Sequence, residues 1–233
     1  MRKEFVPEIK AAVVATMPVM AGYIVLGMGF GIIMKTRGYG IGWSLAMSVF
    51  IYAGSMQYLA IDLLTGGASL ITAALTTLMV NARHLFYGIS MVEKYKGAGG
   101  KKPYIIFALT DETYSLVCGD IPAEAHDRHK YYFLVSLMDQ IYWVAGSVLG
   151  AVLGSVITIS VEGIDFALTA LFVTVFVEQW LSTKDHMAAL TGVAASVVCL
   201  MIFGAGNFLI PAMISIAVTL TVIRWVRKGR LHG

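Results

Sequence analysis

Six ionisable side chains fall inside or beside the long apolar runs of this 233-residue sequence: Arg83, His84, Asp111, Glu112, Asp139 and Glu178. A group of this kind in apolar surroundings is costly and is usually kept for a partner or a pathway. Arg83 is always protonated, so it needs a carboxylate from the protein or from a bound molecule. In the run Asn81-Ala-Arg-His84 an amide and an imidazole share one helical face, with the guanidinium about 100° away. Four acids face this one permanent cation. In a low-dielectric interior they cannot all stay ionised; some hold a proton or are neutralised by a cation that comes and goes. That chemistry suits a proton-coupled carrier or a site for a substrate ammonium. The structural alternative is a fixed Arg83–Asp111 bridge, with Glu178 at an interface. Gln57, in Ala53-Gly-Ser-Met-Gln57, is a polar lining candidate, whereas Asp62, Asp165, Asp185 and His186 lie at segment ends and read as solvated.

The elements that must position these groups follow from composition. Apolar residues make up 58% of the chain and charged residues 13%, and the mean hydropathy is +0.78. A soluble domain carries roughly a quarter of its residues charged. Lipid must therefore cover most of this protein, which argues against a soluble enzyme, a nucleic-acid binder, a disordered chain or a disulfide scaffold. Cys118 and Cys199 sit in apolar runs and read as small hydrophobes, with no disulfide and no metal. Uncharged runs of span length cover 11–34, 38–61, 63–82 and 140–161, and the run 187–223 divides into helices near 187–203 and 208–226. A further span runs from Asp165 if Glu178 lies within the membrane. The stretch Pro103–Gly119 carries Thr110-Asp111-Glu112 at its centre and either spans or dips in and returns. The fold class is thus an all-α polytopic membrane protein: seven spanning helices plus a re-entrant polar segment, or eight spans, in one membrane domain over 1–233. The N-terminal apolar run is longer than a signal-peptide core and reads as retained. Eight crossings with the N-terminus inside place 10 loop lysines and arginines inside and 6 outside, while a re-entrant segment with the N-terminus outside gives 13 and 3. The positive-inside rule favours the second arrangement, and both put the C-terminal tail in the cytoplasm.

Two halves, 11–119 and 131–226, echo each other at an offset of 123 residues: Leu26-Gly27 and Gly31 align with Leu149-Gly150 and Gly154, and Gly40-Ile41 with Gly163-Ile164. Duplicated halves are common in transporters. Gly27/Gly31 and Gly150/Gly154 each lie four apart on one helix face and permit close helix packing. Pro18 frees a carbonyl in the first helix, which is either a packing kink or a break that offers polar backbone to a substrate. Metalloprotease, nucleophile-elbow, phosphate-loop and Cys-His motifs do not occur, so no enzyme activity and no cofactor are expected.

Asn81-Ala-Arg-His-Leu-Phe-Tyr-Gly88, Leu109-Thr-Asp-Glu-Thr-Tyr-Ser115, Ala53-Gly-Ser-Met-Gln57 and Gly163-Ile-Asp-Phe-Ala167 resemble the AzlC family, the large subunit of branched-chain amino-acid permeases. The resemblance covers essentially the whole chain. It implies export of valine, leucine and isoleucine, with methionine a further candidate, across a bacterial cytoplasmic membrane, together with a small AzlD-type membrane subunit. On this reading Arg83 and Asn81 receive the substrate carboxylate, and Asp111 or Glu112, beside Thr110 and Gln57, the ammonium. Gly, Met and aromatic surfaces of the first and fifth spans take the side chain. Asp139, His84 and Glu178 are the candidates for the coupling proton. A cation or proton channel and a non-transporting scaffold subunit are the competing classes.

Overall fold

The computed structural model describes residues 6–156, 173, 176–177, 180–181, 183, 185–204 and 208–230, and all regular structure among them is helical. Contacts divide the chain into two units, Met1–Leu168 and Thr169–Gly233. The first unit is built on two long helices, α1 (Val6–Thr36) and α8 (Arg128–Val156), both long and apolar enough to cross a membrane. Between them lie α2 (Ile41–Phe50), α3 (Gly54–Thr65), α4 (Leu70–Val80), α5 (Arg83–Met91), α6 (Lys102–Phe107) and α7 (Asp111–Val117). The second unit holds α9 (Met187–Phe203) and α10 (Leu209–Arg230), which pack together. These two helices fall where the sequence places them. The expected span from Asp165 to Glu178 and the second-half repeat around Gly163 lie outside the described residues, apart from Val173, Phe176 and Val177.

Helices α1 and α8 approach each other through glycine. A Cβ on Gly27 would stand 2.8 Å from the Trp143 carbonyl oxygen, and one on Gly146 would stand 2.6 Å from that of Ile24. Cβ atoms on Gly31 and Gly150 would overlap the backbone of Ser147 and of Met28. Backbone meets backbone here, as small residues allow between membrane helices. The glycine faces of the first and fifth spans are therefore occupied by each other and not by a substrate side chain. Helix α1 also continues unbroken through Pro18. The carbonyl that Pro18 frees is that of Val14, whose residue is exposed on the outer side of the helix.

Three expected segments are discontinuous. The span expected over 38–61 breaks at 51–53, where Tyr52 has φ of 38°. The one expected over 63–82 begins only at α4, is interrupted at Asn81-Ala82 and resumes as α5. The polar segment 103–119 is two helices of 6 and 7 residues that meet at Ala108–Thr110. Conversely, α8 starts well before the expected residue 140. The uncharged run ended at Asp139, yet that residue is completely buried mid-helix, so its charge marks no boundary. Asp127 begins the helix instead, accepting from the backbone N–H groups of His129 and Lys130, each at 3.0 Å.

Around these elements the surface is apolar. Leu70, Ile71 and Val156 are 88%, 74% and 77% exposed, which suits a surface facing lipid.

The glycine contact predicts that Gly31→Val and Gly150→Val unfold or disperse the protein, by about 3 kcal/mol or more, since neither backbone can retreat alone. Gly22, which has open space around it, should accept Ala with no loss. Thermal unfolding in detergent compares the three. At Asp127 partial burial opposes the charge, but the Lys130 backbone N–H and ammonium, and then the His129 N–H, hold the carboxyl below its ordinary range. The cap therefore supports α8 above the ordinary carboxylate range and loses that support as pH falls through the lowered value. Asp127→Ala should reduce stability by about 1 kcal/mol at neutral pH, and the difference from wild type should shrink in an acid titration of the melting temperature.

Candidate functional site

The three helix breaks of the first unit face one another. Arg83, the first residue of α5, forms an ion pair with Asp111, the first residue of α7. Its other terminal nitrogen donates to Ser55 Oγ near the start of α3, at 3.0 Å. One guanidinium thus ties all three discontinuities together. The two charged side chains keep 30% and 25% exposure, so the pair is reachable. Three polar atoms at this junction are buried without a hydrogen-bond partner among the described residues: Arg83 Nε, Asp111 Oδ1 and Asn81 Oδ1. That leaves one donor and two acceptors unused. Buried polar atoms are rarely left so, and each one calls for an explanation.

A cavity of about 520 Å³ adjoins the junction. Each break contributes to its wall, through Tyr52 and Ala53, Asn81, and Leu109, and the remainder is largely aliphatic and aromatic, including Leu85, Met91 and Phe107. Discontinuous helices that enclose irregular backbone beside a cavity are the usual construction of a transporter binding site. His84 lines the same cavity, with Nδ1 3.2 Å from the Asn81 carbonyl oxygen and its ring edge-on to Tyr87.

A second polar group lies beneath, where α7 meets α1 and α8. Thr110 caps α7 by accepting from the Thr113 backbone N–H at 3.2 Å. Its hydroxyl is 2.7 Å from the Tyr23 hydroxyl, which also donates to Glu112 Oε2 at 2.7 Å. Thr110 Oγ1 donates to Thr113 Oγ1 at 3.1 Å, and Thr113 Oγ1 donates to Asp139 Oδ2 at 2.7 Å. Tyr23, Thr110, Thr113 and Asp139 are all buried, while Glu112 is half-buried.

Of the residues singled out from sequence, Arg83 and Asp111 meet directly, Asn81 and His84 line the adjoining cavity, and Thr110, Glu112 and Asp139 meet through hydroxyls. Gln57 stands apart from the cavity: it is completely buried, and its Oε1 accepts from Trp143 Nε1 at 2.6 Å. Glu178 lies outside the described residues. Sequence reasoning missed Tyr23, Ser55, Thr113 and Trp143 as partners. Tyr23 and Thr110 are 87 positions apart, a pairing with no local signal. Thr113 was within view, as the residue three after a threonine N-cap.

The AzlC protein family model matches residues 18–157, a stretch that contains every residue of this site. The chain belongs to the AzlC family. It is 45% identical to the branched-chain amino acid transport protein AzlC of Bacillus subtilis, over 90% of this chain and 82% of that one. It is 42% identical to a membrane protein of Haemophilus influenzae, over 91% and 88%. With the inner membrane protein YgaZ of Escherichia coli it shares 27% identity over 85% and 82%. No solved structure gives a significant match. Because Arg83 closes the junction against Asp111, removing one charge strands the other. Asp111→Asn alone should lower stability by about 1–3 kcal/mol, less than for a fully enclosed pair. The double variant Arg83→Gln/Asp111→Asn should recover part of that loss, because no charge is stranded. Unfolding of both variants in lipid nanodiscs checks the sign of the coupling.

Proposed function

We propose that this protein moves branched-chain amino acids across the membrane, binding the zwitterion at the Arg83–Asp111 junction. The observation that carries the reading is the set of unused polar atoms there. Arg83 Nε–H offers a donor to a carboxylate, and Asp111 Oδ1 and Asn81 Oδ1 offer acceptors to an ammonium. A zwitterion supplies both charges and so can enter between the paired side chains without changing the net charge of the site. The guanidinium is suited to the task because it holds a carboxylate through two parallel N–H groups while its other edge stays on Ser55. The neighbouring aliphatic cavity takes the branched side chain. Substrate that separates Arg83 from Asp111 also releases the α7 break from the other two, which Arg83 and Ser55 still join, and this links occupancy to movement of α7.

We further infer export, coupled to protons, by a multi-pass protein whose C-terminal tail is cytoplasmic and which works with a small AzlD-type membrane subunit. Support for export and for the small subunit comes from the resemblance of the motifs, and support for proton coupling from the acids buried beside the junction; the name of the Bacillus relative supports branched-chain amino acid transport alone. Asp139 is the first candidate for the coupling group and His84 the second, because one is completely buried and the other lines the cavity.

Proteoliposomes carrying the chain, with and without its small partner, should show saturable counterflow of labelled valine. Arg83→Lys keeps the charge but loses the fork. A charge-assisted hydrogen bond of about 1.5–3 kcal/mol is at stake, so transport should fall about 10–100-fold while the protein remains monodisperse. Near-normal counterflow by Arg83→Lys would remove Arg83 from the substrate site, and unsaturable ion flux in place of counterflow would favour a channel.

A further inference from the structure

Glu112 Oε2, Tyr23 Oη, Thr110 Oγ1, Thr113 Oγ1 and Asp139 Oδ2 form an unbroken line of oxygens, with successive separations of 2.7, 2.7, 3.1 and 2.7 Å. Each hydrogen bond in such a line uses one hydrogen. The line has four contacts, and its three hydroxyls bring three hydrogens. When Tyr23 donates to Glu112, Thr110 to Thr113 and Thr113 to Asp139, nothing is left for the 2.7 Å contact between Tyr23 and Thr110, and lone pairs oppose each other. Two unpaired oxygens that close and that well buried are costly. The deficit disappears when one carboxyl is protonated. With the proton on Glu112, all four bonds point toward Asp139, which keeps Thr110 as the donor to Thr113; with the proton on Asp139, all four point back, and the Thr113 hydroxyl must turn to become the donor to Thr110. The Thr113 N–H to Thr110 bond is compatible with both.

We propose that Tyr23, Thr110 and Thr113 are a proton relay through which Glu112 and Asp139 share a single proton. In the forward transfer the Glu112 O–H bond breaks as Tyr23 gains a hydrogen. The Tyr23 hydrogen passes to Thr110, that of Thr110 to Thr113 and that of Thr113 to Asp139. Every hydroxyl ends intact, one proton has changed carboxyl, and no co-reactant is consumed. The two ends differ in access. Glu112 is half-buried beside the Arg83–Asp111 junction, whereas Asp139 is completely buried and its Oδ1 has no partner among the described residues. The ionisable groups around them are Tyr52, Tyr104 and Tyr131 near Asp139, and Tyr52, Tyr87 and Asp111 near Glu112. The nearest permanent cation, Arg83, also acts on Tyr87 beside Glu112 and is paired with Asp111. Because Tyr23 comes from α1 and both threonines from the α7 end, a shift of α7 against α1 opens the line at one contact.

That this relay drives transport rests on the function proposed above; that the two acids share a proton does not. Infrared spectra of the full chain in lipid at neutral pH separate the two. The protonated-carboxyl C=O band that disappears in Glu112→Gln should disappear in Asp139→Asn as well, since either amide supplies the missing hydrogen and lets the other carboxyl ionise. Loss in one variant only, or in neither, overturns the sharing. For the relay, the ratio of pH-driven valine flux to valine-for-valine exchange should fall about tenfold or more in Thr113→Val and in Tyr23→Phe, and recover in Thr113→Ser. An unchanged ratio in Thr113→Val overturns the relay, as does failure of Thr113→Ser to recover it. If the wild-type chain moves no valine in any arrangement, the transport reading fails, while the infrared comparison still decides the shared proton.

Discussion

The close crossing of α1 and α8 is the constraint on which the first unit depends. Backbone can touch backbone only because Gly27, Gly31, Gly146 and Gly150 present no side chains at the crossing. That contact fixes where Tyr23 and Trp143 stand, with their rings edge-on at 5.5 Å. Trp143 in turn closes over Gly54 at the start of α3 and holds Gln57, so the break at 51–53 is anchored to the crossing as well. Tyr23 from one helix and Asp139 from the other then reach α7 from two sides. In lipid there is no hydrophobic drive to bring helices together, and packing and hydrogen bonds must supply it. A crossing this tight supplies both, with the polar line through Tyr23 and Thr113 at its edge.

Within that frame, the irregular backbone has a reason to exist. Helix ends leave N–H and C=O groups unpaired, and lipid cannot satisfy them, so breaks at membrane depth persist only where protein or a cavity encloses them. Here the three breaks enclose each other. Tyr52, a non-glycine residue at positive φ, stores about 1–2 kcal/mol of strain at the wall of the cavity. Arg83 links the starts of α3, α5 and α7 through Ser55 and Asp111, so one permanent charge does the work that backbone hydrogen bonds do in a continuous helix.

Much of this was legible in the sequence, and the failures have physical causes. Apolar runs located α1, α9 and α10, and the cost of buried charge singled out Arg83, Asp111, Glu112 and Asp139 before any contact was known. The same rule misplaced the start of α8, because it treated Asp139 as a boundary when tertiary hydrogen bonding had made it an interior residue. Hydropathy also reads straight through a helix break: Ile51-Tyr52-Ala53 is as apolar as the helices on either side. The glycine pairs at 27/31 and 150/154 were visible as packing faces, but not that Gly27 and Gly31 would meet Gly146 and Gly150, since partner choice lies in three dimensions. Gln57 looked polar enough to line a site and is instead the buried acceptor of Trp143, a partner 86 residues away.

Charge balance joins the two polar clusters. Arg83 and Asp111 cancel, and under the function proposed above a zwitterionic substrate that parts them brings no net charge. Four short oxygen contacts with three hydroxyl hydrogens leave Glu112 and Asp139 with one proton and therefore one negative charge between them. The empty site and the substrate-loaded site then carry the same single charge. Only a second proton makes the assembly neutral, and moving a neutral assembly through a low-dielectric environment is far cheaper than moving a charged one. A second proton also supplies one hydrogen more than the line can use, so at least one carboxyl must turn away and open it. Protonation and rearrangement at α7 are thus tied by counting hydrogens. The two clusters are joined by the peptide bond from Asp111 to Glu112: a displacement of α7 that releases one side chain moves the other.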